Sequence, residues 1–243
     1  MRGIADACLS VLLAPACAAC EHPLEHPTRG CVCADCWSTI VRLTPPVCDR
    51  CGDPLPTWRM SAAHGFCTRC RRAAGALDRG RAAGLYDRSL RAIVHAFKYG
   101  GRRSLARPLA ALMRRQAGAL LEDVEWVVPV PLHWRRERAR GFNQAADLAR
   151  ALGLPVRRAL RRVRPTIPQA DLPAARRHRN VRGAFVLRRG WRRSHALNGA
   201  CVLLVDDVST TGATLEACAR VLKASGVREV RALTAARVVS AQR

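Results

Sequence analysis

The sequence predicts an α/β domain built on a parallel sheet, preceded by a small cysteine-rich domain. Four Cys-x-x-Cys pairs are clustered near the amino terminus. From about Gly80, short apolar runs typical of buried strands alternate with segments of helical periodicity. One such run, Val202–Val205, ends in two acids and leads through a small-residue loop into a helix. We therefore assign residues 1–75 to the cysteine-rich domain and residues 80–243 to the α/β domain.

The composition favours a folded chain with an anionic partner. At 243 residues and 49% apolar residues, the chain suits one ordinary domain plus a small accessory one. It carries 42 basic against 18 acidic residues, a formal net charge of +24. Such an excess is typical of proteins that bind nucleic acid or phosphorylated metabolites, although a solvated arginine-rich surface gives the same count.

The first residues are apolar but predict no membrane span. The stretch from Ile4 to Ala16 precedes Cys17, so a lipoprotein signal is the alternative to a buried or amphipathic helix. Asp6 interrupts the stretch, and it is too short to cross a bilayer. We expect an N-terminal helix, no transmembrane segment and a cytoplasmic location.

The four cysteine pairs predict two zinc sites. Two residues between thiolates allow both sulfurs to reach one tetrahedral metal ion from a tight turn. A redox dithiol explains a single pair but not four in so short a stretch. In sequential pairing, the predicted ligands are Cys17, Cys20, Cys33 and Cys36 for one ion, and Cys48, Cys51, Cys67 and Cys70 for the other.

The cysteine-rich segment leaves two alternatives open. Pro45-Pro46 separates the second and third pairs and favours a stiff linker between two small ribbons, which is why we choose sequential pairing; an interleaved pairing is the alternative. Cys31 is an alternative ligand, while Cys8, Cys201 and Cys218 are expected to pack as apolar thiols. Because so short a segment buries little apolar surface, we expect metal binding to hold it folded.

The remaining chain alternates predicted strands and helices. Strands are predicted at Gly84–Tyr86, at Trp126–Val130, from Val202, and at Val230–Val238. Helical stripes are predicted at Leu90, Ile93, Val94 and Phe97; over roughly Leu105–Leu121; at Ala145, Leu148 and Leu152; and at Leu215, Cys218, Val221 and Leu222. Arg135–Arg140 is predicted as a basic loop that enters the third of these helices.

The segment from Cys201 to Leu215 is the clearest candidate binding site. Backbone amides of a small-residue loop in front of a helix bind a phosphate dianion, and adjacent carboxylates accept hydrogen bonds from vicinal hydroxyls. A ribose 5-phosphate suits these groups better than a bare phosphate or a triphosphate. An ordinary strand–helix turn capped by Ser209 or Thr210 does not require the two acids. A receiver domain is excluded because no aspartate follows Asp207 as phosphoacceptor, and a Walker A loop is absent.

This segment resembles the phosphoribosyl pyrophosphate (PRPP) signature of type I phosphoribosyltransferases. Both have four apolar residues, two acids and a loop rich in threonine and glycine. The resemblance implies that Asp206 and Asp207 hold the ribose hydroxyls. It implies a PRPP loop formed by Ser209, Thr210, Thr211, Gly212, Ala213 and Thr214.

Further blocks are similar to those of the ComF family. They are His95–Gly101, Val128–Leu132, Arg140–Gln144, Gln169 with Arg176, and Asn180 with Val181. Together with the cysteine pairs and the PRPP signature, they follow the family order along nearly the whole chain. The resemblance implies a type I phosphoribosyltransferase fold, a parallel sheet flanked by helices, with an N-terminal double zinc ribbon.

The resemblance also implies where the diphosphate of PRPP and its Mg²⁺ bind. The corner after the second predicted strand takes the place of the pyrophosphate loop, with Pro131 and Leu132 where the family often has glycines. Arg138 and Arg140 are expected in a mobile loop that grips the diphosphate bidentately. Lys98 is a further candidate phosphate contact. The alternative for Lys98 is a position at a surface helix end. The alternative for Arg138 and for Arg140 is a solvated surface charge.

Two functions follow from the resemblance. The first is transfer of the phosphoribosyl group of PRPP to a nitrogen acceptor, although neither the acceptor nor a general base can be identified. The family is associated with natural competence, so the second is a non-catalytic single-stranded-DNA-binding protein that uses PRPP as a signal and works with DNA-uptake proteins. The segment between Gly141 and Ala200 has fourteen arginines against two aspartates, a charge that suits single-stranded DNA. The aromatic residues expected to stack on bases are Trp134, Phe142, Phe185 and Trp191.

Overall fold

The structure is a computed structural model that describes most of the chain. The described residues are Gly3, Asp6, 13–55, 65–72, 74–165, 180–192 and 195–239. Most of the predicted N-terminal helix, together with Cys8, Gln169 and Arg176, lies outside the described residues.

The described elements alternate between strands and helices after a region of short turns. They are α1 (Ala34–Ser38), α2 (Thr68–Arg72), β1 (Arg79–Leu85), α3 (Arg88–Tyr99), α4 (Ala106–Ala117), β2 (Trp126–Pro129), α5 (Trp134–Arg140), α6 (Gln144–Ala151), β3 (Leu160–Arg162), β4 (Phe185–Leu187), α7 (Arg189–Arg192), β5 (Cys201–Ser209), α8 (Ala213–Lys223) and β6 (Glu229–Arg237). Short 3₁₀ turns extend α4 at both ends. Within these ranges, no helix has the length and hydropathy needed to cross a bilayer.

The central sheet is parallel, as predicted, with the strand order β1-β6-β5-β2. β5 and β6 lie in its middle and are covered on both faces, which explains why their sequences are continuous apolar runs. Because all four strands run in one direction, their carboxyl ends share one edge. Pro129 is paired with Val205, so the corner after β2 lies beside the two acids of β5.

Helices cover both faces of this sheet. On one face, α3, α4 and α6 pack against Leu203, Val205 and Leu233. On the other face, α8 and the β3–β4 strand pair pack against Val202 and Leu204. We call these the α3 face and the α8 face, and each holds part of the candidate site.

The predicted apolar stripes are confirmed by burial. The buried residues include Leu90, Ile93, Val94 and Phe97 on α3, Ala145, Leu148 and Leu152 along α6, and Leu215, Cys218 and Leu222 on α8. Asp87 accepts a hydrogen bond from the backbone N–H of Arg88 and caps α3. Apolar periodicity therefore located these helices correctly.

The predicted basic loop is wrong: residues 134–140 form the helix α5. The side chain of His133 accepts a hydrogen bond from the backbone N–H of Arg135 at the start of the helix. Gly141, at φ +76°, ends it in a left-handed conformation that glycine adopts without strain. The residues between are good helix formers, so Arg138 and Arg140 lie on a helix and not in a loop.

A second small sheet was not predicted. β3 and β4 form an antiparallel pair on the α8 face, with Leu160 opposite Leu187 and Arg162 opposite Phe185. Each strand is three residues long. Strands this short, rich in arginine and far apart in the sequence carry no usable periodicity.

The cysteine-rich region packs directly on the α/β domain. The chain between its two halves runs along β1, where the backbone N–H of Leu85 donates to the carbonyl of Val41 at 2.8 Å. Gly84 is required at this crossing, because a Cβ there would lie 2.9 Å from the Val41 carbonyl oxygen. The cysteine ribbons are therefore anchored to the edge strand of the sheet.

Candidate functional site

The eight predicted zinc ligands form two tetrads, and in each the four sulfur atoms lie within 4.8 Å of one another. The Sγ atoms of Cys17 and Cys36 are 4.0 Å apart, and those of Cys51 and Cys67 are 3.7 Å apart. Tetrahedral Zn²⁺ with Zn–S bonds of about 2.3 Å separates its sulfurs by about 3.8 Å, so both tetrads fit this ion. The pairing is sequential, and the interleaved alternative is wrong.

Backbone groups favour the thiolate form in the first tetrad. The N–H groups of Ala19 and Cys33 donate to Cys17 Sγ at 3.4 and 3.3 Å. Burial raises the pKa of the Cys17 thiol, but these hydrogen bonds outweigh it and lower the pKa to about 6. Cys31, the alternative ligand, lies outside the tetrad with its sulfur 3.9 Å from Ser104 Oγ.

The two acids of β5 face opposite sides of the sheet, as successive residues of a strand do. Asp207 Oδ1 lies 3.0 Å from Lys98 Nζ on the α3 face. Asp206 lies toward the α8 face, where the charge of Arg162 acts on it. Its Oδ1 accepts a hydrogen bond from the backbone N–H of Asp207 at 2.9 Å. One acid is thus ion-paired, whereas no ion pair to the other is seen among the described residues.

Burial makes Asp206 titrate near neutral pH. Burial and then the neighbouring charge of Asp207 raise the pKa of Asp206 to about 7, against the opposing attraction of Lys98. The protonation state of this carboxyl group therefore changes in the physiological range.

Lys98 lies beside Asp207, with most of its side chain shielded from solvent, and is not a surface helix end. Its side chain is 17% exposed and that of Asp207 is 11% exposed. Burial alone lowers the pKa of Lys98, but attraction to Asp207 more than offsets this and raises it. The lysine therefore stays charged and neutralises one of the two acids at the edge of the sheet.

The small-residue loop has the geometry of an anion site. It joins Ser209, the last residue of β5, to α8, and Gly212 adopts a left-handed φ of +78° just before the helix. The backbone N–H of Ala213 also contacts Thr211 Oγ1 at 3.4 Å. The N-terminal amides of α8 thus lie directly behind the loop, where they favour a phosphate.

The corner after β2 lies beside the two acids of β5. Pro131 and Leu132 line a cavity of about 460 Å³ that extends to Trp134 on α5 and Leu160 on β3. The side-chain amide of Asn143 donates to the carbonyl of Val130 at 3.1 Å and so stabilises the conformation of the corner.

Arg140 and Arg138 differ in their surroundings. The guanidinium of Arg140 lies 4.6 Å from the centre of the Tyr99 ring, next to Lys98 in the sequence. Arg138 is exposed on α5. The structure therefore brings Arg140, but not Arg138, to the helix that carries Lys98.

The aromatic residues predicted to stack on bases are only partly available. Phe142 and Phe185 are 7% and 3% exposed and pack in the two cores, so their prediction is wrong. Trp134 is 58% exposed, and Tyr99, which sequence reasoning missed, is 63% exposed. Trp191 is half-buried.

Sequence reasoning also missed Arg237. This arginine, at the end of β6, is 2% exposed. It forms an ion pair with Asp53 of the cysteine-rich region and donates to Ser209 Oγ at 3.1 Å. In a chain with so many arginines, composition alone does not single out one that is buried.

Comparison with known proteins matches both regions. Residues 8–71 match the double zinc ribbon domain, and residues 138–242 match the phosphoribosyl transferase domain. Competence protein F of Haemophilus influenzae is 31% identical over 224 residues, which cover 88% of this chain and 93% of that protein. DNA utilization protein YhgH of Salmonella typhimurium is 33% identical over 228 residues, with the same coverage of 88% and 93%.

A more distant relative matches over a somewhat shorter part of the chain. Competence protein ComFC of Bacillus subtilis is 26% identical over 202 residues, which cover 80% of this chain and 79% of that protein. The similarity to these proteins runs through the zinc ribbons and the phosphoribosyl transferase domain alike. Because it extends along 88% of the chain at more than 30% identity in competence protein F, the chain belongs to the ComF family.

Proposed function

We propose that the protein binds PRPP with Mg²⁺ at the carboxyl edge of the sheet and transfers its phosphoribosyl group to a nitrogen acceptor, releasing pyrophosphate. The observation that carries the proposal is the end of β5, where two acids precede a short loop at the N-terminus of α8. The phosphoribosyl transferase domain supports the reaction class, and the site geometry supports the substrate.

Each part of the site has one role. Asp206 and Asp207 accept hydrogen bonds from the two ribose hydroxyls. The amides of the loop between Thr210 and Thr214 hold the 5-phosphate at the helix N-terminus. Because Pro129 pairs with Val205, the corner at Pro131 lies beside the two acids, and we assign C1 of the ribose to this side of the site.

Lys98 makes the site suitable for an anion. Two successive acids at the end of β5 repel a ligand that carries three phosphate groups, and the ammonium group of Lys98, 3.0 Å from Asp207, reduces that repulsion. Arg140, stacked on Tyr99 at the end of the same helix, adds positive charge where the diphosphate leaves.

The oxygen ligands at this edge suit Mg²⁺, which binds proteins through one or two carboxylates together with substrate phosphates. When bound with the diphosphate of PRPP, the ion neutralises the charge of the leaving group. The residues of the chain position the ribose and exclude water, which is the main protein contribution in a transfer of this type.

The cavity beside the corner is the candidate acceptor site. Its volume of about 460 Å³ holds a nucleobase-sized ring, and its lining combines Leu132, Trp134 and Leu160 with the side chains of Arg158, Arg161, Arg162 and Arg188. An acceptor there lies next to the corner, on the side of the site to which we assign C1.

The test is pyrophosphate release from PRPP and Mg²⁺ in the presence of a panel of nucleobases. We expect release with at least one acceptor in the wild type, and its loss in Asp207→Asn. Absence of release with every acceptor, together with absence of PRPP binding by calorimetry, would contradict the proposal.

A second candidate function is single-stranded-DNA binding alongside PRPP, with competence or DNA-uptake proteins as partners. The names of the relatives and the net charge of +24 favour it. So do two exposed aromatic–arginine pairs: Arg135 lies 5.3 Å from the Trp134 ring centre, and Arg140 stacks on Tyr99. The thiolate ligands of both tetrads persist in a reducing compartment, which supports the expected cytoplasmic location.

The test of the second candidate is fluorescence anisotropy with labelled single-stranded DNA at increasing salt. Six phosphate contacts give a log–log slope of about −4. Trp134→Ala is expected to weaken binding by about 1–3 kcal/mol, because one stacking platform is lost. Absence of binding at low salt would exclude this function.

A further inference from the structure

We propose that Arg237 couples the second cysteine tetrad to the 5-phosphate loop, so that zinc in this tetrad sets the affinity of the loop for a phosphorylated ribose. We call the chain of contacts from Asp53 through Arg237 to Ser209 the Arg237 bridge. The inference rests on the proposed PRPP site, and it assigns a positioning role to residues that do not touch the ligand.

One guanidinium group connects the two regions. Arg237 is the last residue of β6, it is 2% exposed, and its Nε forms an ion pair with a carboxylate oxygen of Asp53. Its Nη1 donates to Ser209 Oγ at 3.1 Å, and Ser209 is also its partner in the sheet register. A fork of donors is needed for both contacts at once, and only arginine has one.

Asp53 is held by both halves of the second tetrad. Its backbone carbonyl accepts a hydrogen bond from the N–H of Cys48 at 2.7 Å. Its Oδ2 lies 3.0 Å from Nη2 of Arg69, which stands between Cys67 and Cys70. Metal binding joins these two halves, so loss of the ion frees one from the other and releases the carboxylate of Asp53.

The other end of the bridge is the PRPP loop itself. Ser209 is the residue from which the loop departs, and Gly212 is where it enters α8. Both residues line a small cavity that is also lined by Arg237 and by the tetrad ligand Cys51. Zinc ligand, buried arginine and phosphate loop therefore meet at one point on the α8 face.

A second contact ties α8 to the same side. Glu216 on α8 accepts hydrogen bonds from the backbone N–H groups of Ala76 and Leu77 at 2.8 and 3.3 Å. These residues belong to the segment that joins the second tetrad to β1. Both ends of the loop are thus fixed to elements that the second tetrad orders.

The physical basis of the coupling is the cost of a buried charge. The guanidinium cannot lose its proton, and removal of its partner from a buried ion pair is strongly unfavourable. If Asp53 moves, Arg237 must move or be hydrated, and the hydroxyl of Ser209 loses its donor. The loop then no longer holds its amides in the arrangement that binds a phosphate.

The experiment measures ribose 5-phosphate affinity by calorimetry in the zinc-loaded full chain. Arg237→Lys keeps a charge opposite Asp53 but cannot reach Ser209 as well. We expect it to bind ribose 5-phosphate roughly tenfold more weakly, because the loop loses the donor that holds Ser209. The variant should remain folded and retain its zinc content, with a melting temperature lowered by the loss of one buried hydrogen bond.

Asp49→Asn is the matched control. Asp49, next to Cys48, also pairs with an arginine of the sheet, Arg81 on β1, at 2.9 Å. Arg81 lines the same small cavity as Ser209, but its side-chain hydrogen bonds in the described part of the chain go to the segment from Cys48 to Gly80 and not to the loop. We expect this variant to bind ribose 5-phosphate as the wild type does.

A chelator titration of the wild type and of Arg237→Lys provides a second measurement. In the wild type, affinity for ribose 5-phosphate is expected to fall as zinc is removed. In Arg237→Lys it is expected to be low already and to fall less, because both changes break the same connection. Equal affinity in wild type and Arg237→Lys, or equal sensitivity to chelation, would overturn the inference. Failure of the wild type to bind ribose 5-phosphate at all would instead overturn the proposed function on which it rests.

Discussion

Each face of the central sheet carries one cysteine tetrad and one acid of β5, but the interactions around these groups differ between the two faces. On the α3 face, Cys17 and Cys36 belong to the main apolar core. On the α8 face, Cys48 and Cys67 are buried yet belong to neither apolar cluster. Their surroundings are ion pairs, of which the most buried includes Arg237.

For the two acids of β5, the ion pair is on the other face of the sheet. Asp207 on the α3 face is ion-paired with Lys98, whereas no ion pair to Asp206 is seen in the described part of the chain. The α3 face therefore combines apolar packing of its metal site with a neutralised acid. The α8 face combines a charged metal site with an acid that titrates near neutral pH. The two zinc ribbons thus attach to one sheet in two ways, and in the described part of the chain the charged contacts of the second ribbon extend to the loop between β5 and α8.

The largest expected effect is the loss of a zinc ligand. Binding of structural zinc is worth about 10–16 kcal/mol in small zinc domains, so its loss unfolds the segment it orders. We expect Cys36→Ser to lower the melting temperature more than Cys67→Ser, because Cys36 lies in the main core. Zinc content should fall from about two ions to about one in each variant. Equal melting temperatures in the two zinc-depleted variants would contradict the distinction between the faces.

The next effect concerns Asp207 on the α3 face. Asp207→Asn removes one charged hydrogen bond to a ribose hydroxyl and should weaken PRPP binding by about 1.5–3 kcal/mol, roughly ten- to a hundredfold. Calorimetry with Mg²⁺ measures this. Asp147→Asn is the control, because Asp147 is similarly buried and ion-paired with Arg103 but lies on α6 outside the site. Unchanged PRPP affinity in a folded Asp207→Asn would mean that this acid does not bind the ligand.

The difference between the faces was only partly predictable from the sequence. The tetrads follow from the cysteine spacing, and the parallel sheet follows from apolar runs that local periodicity reveals. The pairing of Lys98 with Asp207 joins residues far apart in the chain, which no local pattern encodes. Helix α5 lacks an apolar stripe because it is mostly charged, and this explains why it was predicted as a loop. The buried Arg237 was indistinguishable from the surface arginines around it.

A smaller effect is expected for the acid of the α8 face, and it depends on pH. Because burial raises the pKa of Asp206 to about 7, the folded protein keeps a proton that the unfolded chain releases from about pH 4 upward. The contribution of Asp206 to folding stability therefore falls as the pH rises from about 4 to about 7. Above pH 7, the folded protein carries the full free-energy cost of the ionised carboxylate.

Asp206→Asn removes this titration. Relative to the wild type, the variant should gain stability on the order of 1–3 kcal/mol between about pH 5.5 and pH 8.5. Thermal melts of zinc-loaded protein across this range provide the measurement. Asp207→Asn is the matched comparison, since loss of a carboxylate that Lys98 neutralises is not expected to stabilise the fold at high pH. A difference between Asp206→Asn and wild type that stays constant with pH would show that this acid is ionised throughout.

The smallest expected effect is a difference between the two faces in how the melting temperature depends on salt. Asp49 and Arg81 form a partly exposed ion pair on the α8 side, and such pairs contribute about 0.2–1 kcal/mol. On the α3 side, Thr39 Oγ1 and Ser89 Oγ share a neutral hydrogen bond of 2.8 Å at the contact between the first ribbon and α3. Asp49→Asn should therefore lower the melting temperature at low salt and have little effect at about 0.5 M salt, where charges are screened. Thr39→Val keeps the shape of the side chain and should have the same small effect at both salt concentrations, because a neutral hydrogen bond is not screened. Equal salt dependence in the two variants would show that charge does not distinguish the two attachments of the ribbon.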